Sequence, residues 1–314
     1  MAIDPRVRWI VKIATALDRS SDDVPMAQRR VQSADVARRL GWLVMPGGPK
    51  SVRSVDELVP VADGRITVRV HRPEGRTDLL PLHVFLHGGG WCLGTLDERD
   101  PRCRAVAEGA GCVVASVDYR LAPEHRYPTA PEDCYAALCW LVEHAERLRI
   151  DPERISIGGE SAGANLAAVV CLMARDRSGP VLRYQWLDVP ATDLTLSQPS
   201  HRDLPDGYLL DHAEIIAYRD NYLAEPSQAT EPYVSPLLAD DLSGLPSAWI
   251  MTCGYDHLRD DGAAYAARLA DAGVAARHIR LEGHVHPSFA FTRLVPSART
   301  YEHDAIAALR AALA

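Results

Sequence analysis

The chain has 314 residues, long for one domain but ordinary for a large α/β unit that carries an insertion. It is 47% apolar and 24% charged, as water-exposed globular proteins are. Its net charge of −8, with the two signs interspersed, argues against a nucleic-acid surface, and no apolar run is long enough to cross a bilayer.

Residues 5–19 place Val7, Ile10, Val11, Ala14 and Leu17 at helical spacing, so an amphipathic helix opens the chain. It does not read as a secretory signal: Asp4 sits in the would-be basic region, Lys12 breaks the apolar run, and no A-x-A site follows. A weaker helix is expected over 25–43, ending near Gly41. Asp63-Gly64 is a hairpin turn signal between strands at 54–60 and 65–71. A short buried strand at 84–86 runs into His87-Gly88-Gly89-Gly90-Trp91. An apolar strand at 112–117 is followed by an ordered loop, 118–125, and a helix over 132–148 with Pro131 at its start.

Next come Ile155-Ser156-Ile157 as a strand end, Gly158 to Gly163 as a turn, and an Ala-, Leu- and Val-rich helix over 164–175. A strand is expected at 184–189. From 192 to 232 the alternation stops: the segment is polar, with prolines at 199, 205 and 226 and one helix near 211–223, and reads as an insertion. A strand (249–253), a helix (260–272), a strand (276–281) and a terminal helix (297–312) complete the chain. Strands alternating with helices imply a mostly parallel sheet covered on both faces, whose chemistry gathers at the strands' carboxyl ends.

The chemistry centres on Gly159-Glu160-Ser161-Ala162-Gly163, a G-x-S-x-G in the context of strand, sharp turn and helix. Such a turn exposes a serine hydroxyl to a base and to substrate at once, and its crowded neighbours must be small. The acid and base are then expected after Ser161 in the chain. His284 and His286 lie in the loop after the last strand, where a base belongs, and either could serve. For the acid, Asp256 follows the 249–253 strand, with Asp193 as an alternative; Asp260 reads as a helix cap. His257, His278 and His303 read as structural. Gly88 and Gly89, with Ala162, are candidate oxyanion donors through their N–H groups. No G-K-[ST] follows the glycines, which argues against a phosphate loop.

Seven cysteines include no C-x-x-C and no zinc-like pairing with histidine, so no metal site is expected. Their odd number and apolar neighbours suggest buried free thiols in a reducing compartment, hence a cytoplasmic protein. Only two lysines, Lys12 and Lys50, beside many arginines and alanines, hint at a GC-rich bacterial genome.

Together, His87-Gly-Gly-Gly-Trp91, Asp118-Tyr-Arg-Leu-Ala-Pro-Glu-His125, Tyr127-Pro128 with Pro131-Glu-Asp133, Gly159-Glu-Ser-Ala-Gly163 and Gly254-Tyr-Asp256-His-Leu-Arg-Asp260 resemble the bacterial hormone-sensitive lipase family of carboxylesterases, with an actinobacterial flavour. The resemblance spans about residues 55–314. It implies an α/β-hydrolase fold: a mostly parallel eight-stranded sheet flanked by helices, with a helical cap from 1–45 and 192–232 over a core of 46–191 and 233–314. It also implies a Ser161–Asp256–His286 triad that hydrolyses short- to medium-chain esters without a cofactor. Dimers are common in that family, but no segment here reads as an interface.

The family's elbow usually reads GDSAGG, where this chain has Glu160 and Ala164. Its base usually sits in H-G-F, where this chain has His286-Pro287-Ser288-Phe289. Proline there biases His286 towards an extended backbone, which keeps His284 in play. Trp91, Tyr208, Leu209 and Leu210 either shape the acyl pocket or belong to the cap core. An amide or thioester hydrolase with the same machinery, or a non-catalytic small-molecule binder, are the competing readings.

Overall fold

In the computed structural model, which describes residues 2–17 and 24–314, eight strands form one sheet in the order β1-β2-β4-β3-β5-β6-β7-β8. The elements are α1 (Pro5–Leu17), α2 (Met26–Val44), β1 (Val52–Val61), β2 (Gly64–Pro73), β3 (Leu80–Leu86), α3 (Leu96–Ala110), β4 (Val113–Asp118), α4 (Thr129–Glu143), α5 (Ala145–Leu148), β5 (Ile150–Glu160) and α6 (Ala162–Asp176). They continue with β6 (Tyr184–Asp188), α7 (Ser200–Asp203), α8 (His212–Tyr222), β7 (Ser247–Tyr255), α9 (Arg259–Asp271), β8 (Ala276–Val285) and α10 (Pro296–Ala312). β2 pairs antiparallel with β1 and β4; all other pairs are parallel.

β3 explains the layering. All seven of its residues are buried, because helices cover both faces. Leu82, Val84 and Leu86 face a core shared with α4, α6 and α9, while Phe85 faces one shared with α3 and α10. From β3 the chain steps to β4 on one side, then crosses to β5 on the other. The crevice beyond the carboxyl ends of β3 and β5 is therefore the topological switch point of the sheet, where open α/β sheets bind ligands.

Several boundaries differ from expectation. α3 has no counterpart in the sequence reading. Thr95 caps it by accepting from the Glu98 N–H at 3.3 Å, and Gly111 ends it at φ 67°. Its apolar period is broken because Arg102, almost fully buried, points inward. The hairpin turn is Ala62-Asp63, one residue earlier than expected, with Asp63 at φ 60° and Val61 opposite Gly64. The helix expected over 132–148 starts at Thr129 and breaks at His144 into α4 and α5. α2 runs past Gly41 to Val44. The first helix ends at Leu17, and residues 18 and 19 of its expected span lie outside the described residues. Asp260 is not a cap: Leu258 holds that position, and Asp260 pairs with Arg259 at 2.7 Å in the first turn.

Candidate active site

Ser161 stands between β5 and α6 with φ 55° and ψ −121°, a conformation only a tightly packed turn maintains. The turn is held from both sides. The Ser161 N–H donates to the Asp188 carbonyl at 2.8 Å, and Asn165 N–H donates to the Ser161 carbonyl at 3.0 Å. A Cβ on Gly163 would collide with the carbonyls of Leu86 and His87, so β3 can lie against the helix start only if that residue is glycine.

Asp256 and His286 come from adjacent strand ends. Between Cys253–Leu281 and Tyr255–Val285 the β7–β8 register shifts, and β8 contributes two extra residues. Such a bulge bends the strand and re-aims the side chains beyond it. His286 Nδ1 lies 2.8 Å from Asp256 Oδ2, and His286 Nε2 lies 3.0 Å from Ser161 Oγ. The Leu258 N–H holds the other Asp256 oxygen at 3.0 Å. Pro287 adopts φ −88° and ψ −3° and opens a short 3₁₀ turn, Ser288–Ala290, at a position whose N–H the turn does not use. The imidazole is therefore not displaced by the proline.

The alternatives are engaged elsewhere. His284 is buried, with Nδ1 2.9 Å from Ser288 Oγ and Nε2 2.8 Å from Ser297 Oγ. Burial pushes its pKa down. Asp193 accepts from Thr195 N at 2.9 Å and from Ser197 Oγ at 2.5 Å, so it folds its own loop. His257 lies 3.2 Å from Asp206, His278 lies 2.9 Å from Thr252, and His303 sits exposed 3.4 Å from Asp304.

A cavity of about 220 Å³ opens at Ser161. Gly88, Gly89, Gly90 and Ala162 form one wall. Gly89 has φ 122° and Gly90 φ 58°. His87 fixes this loop rather than reacting: its ring stacks on Tyr119 at 4.4 Å, and the Tyr119 hydroxyl donates to the His87 carbonyl at 2.8 Å. Burial pushes the His87 pKa down to about 4.

Gly88 lines the cavity together with Gly89, and so does Gly90 beside them. Burial alone would raise the Glu160 carboxyl; Arg99 and Arg102 together hold it below the usual range. Beneath the elbow the network continues. Arg102 pairs with Glu160 at 3.1 Å and with Asp188, and Asp188 also accepts from Trp186 Nε1 at 2.8 Å and from the Tyr301 hydroxyl. The sequence pattern held no signal for this network, since Arg99 and Arg102 lie on the unforeseen α3.

Leu194, Leu209, Leu210, Ile215 and Tyr218 line the cavity from the 192–232 segment, with the Tyr218 ring directly against Gly90. Trp91 lines the cavity and stacks on Tyr222 at 4.6 Å. Tyr208 does not line it: its ring packs 5.3 Å from Tyr255, beside the partly buried residues around α1. The nearby thiol of Cys92 is pushed up to about 12 by burial, so it is no competing nucleophile. Among the described residues, no group of three or more His, Cys, Asp or Glu side chains is arranged to hold a metal ion.

The alpha/beta hydrolase fold family model matches residues 83–290. The chain is 42% identical over 298 residues to Carboxylesterase NlhH of Mycobacterium tuberculosis, covering 93% of each chain. It is 35% identical over 292 residues to an arylesterase of Saccharolobus solfataricus, covering 91% of this chain and 92% of that one. The solved structure of a hyperthermophilic esterase from the archaeon Pyrobaculum calidifontis superposes with a TM-score of 0.92 at 36% identity, covering all of both chains. The chain thus belongs to the α/β-hydrolase family, within the hormone-sensitive lipase group whose motifs it carries.

Proposed function

We propose that this protein is a serine carboxylesterase acting on short- to medium-chain acyl esters through an acyl-enzyme. The observation that carries the reading is the continuous chain from Asp256 through His286 to Ser161, at 2.8 and 3.0 Å, opening onto a largely apolar cavity. The Ser161 Oγ attacks the acyl carbon while His286 Nε2 takes its proton. Asp256 fixes the tautomer of His286 and stabilises the imidazolium. The N–H groups of the Gly88–Gly90 loop and of Ala162 receive the oxyanion, and the start of α6 adds its dipole. Collapse of the tetrahedral intermediate expels the alcohol, which takes the proton from His286. Water, deprotonated by His286, then attacks the acyl-enzyme and releases the acid and Ser161.

We read residues 192–232 as the cap insertion, together with 1–45, because the former supplies one whole wall of the cavity. All seven cysteines are unpaired, which supports a reducing, cytoplasmic setting.

The test is the initial rate of hydrolysis of nitrophenyl esters from acetyl to palmitoyl, with wild type beside Ser161→Ala. Turnover of short chains that Ser161→Ala reduces by about 10⁴-fold or more is the expected result. A folded wild type inactive on every chain length, or an active Ser161→Ala, overturns the reading.

A further inference from the structure

Thirteen large apolar residues are exposed among the described residues, and seven of them lie on α1 and α2: Trp9, Ile13, Val31, Val36, Leu40, Trp42 and Leu43. They are ordered rather than scattered. Trp9 and Ile13, one turn apart on α1, are 61% and 39% exposed. Val36, Leu40 and Leu43, spaced by four and three on α2, are 57%, 44% and 42% exposed and so form one outward stripe. A helix in water normally turns such a stripe to the core. Here the core contacts are made by other positions, Val7 and Val11 on α1 and Met26 on α2.

The charge on these helices is equally one-sided. Together they carry seven basic residues and one acidic residue, Asp35, in a chain whose net charge is −8. On α1, Arg6, Arg8 and Lys12 are exposed and flank Trp9 and Ile13 on both sides. On α2, Arg38 and Arg39 remain largely exposed while sharing Asp35. Apolar side chains with tryptophan, bordered by arginine and lysine, are the composition of a helix that lies in the headgroup region of an anionic bilayer. A second copy of the same face fits poorly, because an isologous contact would bring these cations together.

We propose that the outer face of α1, where Trp9 and Ile13 stand between Arg6, Arg8 and Lys12, docks on an anionic lipid surface. The inner face of α1 packs on Val285, one residue before His286, and shares its cluster with Leu209 of the cavity wall. The surface itself does not depend on the esterase reading, and its test is a binding measurement.

The experiment is co-sedimentation of the full chain with sucrose-loaded vesicles of equal parts phosphatidylglycerol and phosphatidylcholine, beside vesicles of phosphatidylcholine alone. Wild type is expected to pellet with the anionic vesicles and to be released as salt rises. Trp9→Ser with Ile13→Ser, and separately Arg6→Gln with Arg8→Gln and Lys12→Gln, are each expected to weaken binding by about 10-fold or more. Both variants should keep the wild-type circular dichroism spectrum and melting temperature, which shows that the loss is not misfolding. Wild type left in the supernatant with anionic vesicles, or binding unchanged in both folded variants, overturns the proposal. So does analytical ultracentrifugation showing a dimer that the Trp9→Ser, Ile13→Ser variant dissociates, because the face then belongs to a second copy.

Discussion

α6 and α2 are both long helices, and they are built in opposite ways. Of the fifteen residues of α6, thirteen are buried; of the nineteen of α2, only Met26 is. α6 is wedged between the sheet and its neighbours, so its first turn has no freedom and Ser161 is held at a strained φ. α2 is tied down by a few polar contacts instead. Arg30 reaches the Cys92 and Ala122 carbonyls at 2.8 Å each, and the Arg293 N–H reaches the Val44 carbonyl at 2.9 Å. The difference teaches that precision here is confined to the switch point of the sheet. The outer helices are free to serve as surface.

That contrast predicts a steep gradient of mutational cost. The largest effect is expected beneath the elbow. Arg102→Met leaves Glu160 and Asp188 as buried carboxylates without their shared cation, and should cost about 3–5 kcal/mol of stability in chemical denaturation. A loss below ~1 kcal/mol would mean the network is not what fixes the turn.

Per residue, an intermediate effect is expected from acid. Burial pushes His71 down to about 4, His83 to about 3 and His87 to about 4, all in or beside the central sheet. Their folded pKa values lie below the unfolded value of about 6.5. Below that pH the unfolded chain therefore binds protons that the folded one does not. Their stabilising contribution is complete above about pH 6.5 and is lost as pH falls towards 4, at about 2 kcal/mol per histidine by pH 5. Thermal unfolding from pH 7.5 to 5 should show a falling Tm, and His83→Asn should flatten the slope. A flat profile contradicts burial of these rings in the neutral form.

The smallest effect is expected on α2. Val36→Ser and Leu40→Ser remove side chains that touch water, so stability should stay within about 0.5 kcal/mol and hydrolysis of soluble esters should not change. A loss above ~2 kcal/mol would show that these residues are packed after all.

The same contrast governs what could be read from the sequence. The elbow, the glycine loop and the Asp256 and His286 positions were legible because close backbone approach demands glycine, and because strand ends carry the chemistry of this fold. α3 was not legible, since Arg99 and Arg102 point inward to carboxylates distant in the chain and break the apolar period. Tyr208 and Leu209 are adjacent, yet only Leu209 reaches the cavity; irregular backbone gives no period from which to predict that. Pro287 reads as a disturbance because proline removes an N–H and biases the residue before it. In the structure it opens a turn that needs no N–H there.

His286, at 3.0 Å from Ser161 Oγ, is the base proposed for Ser161, while His284 is engaged by Ser288 and Ser297. The most direct measurement is kcat/KM on nitrophenyl butyrate for His286→Ala beside His284→Ala. Loss of about 10³-fold or more in His286→Ala, with His284→Ala within about ten-fold of wild type, is the predicted result. A His286→Ala enzyme that keeps near wild-type activity while a folded His284→Ala loses it would contradict the account.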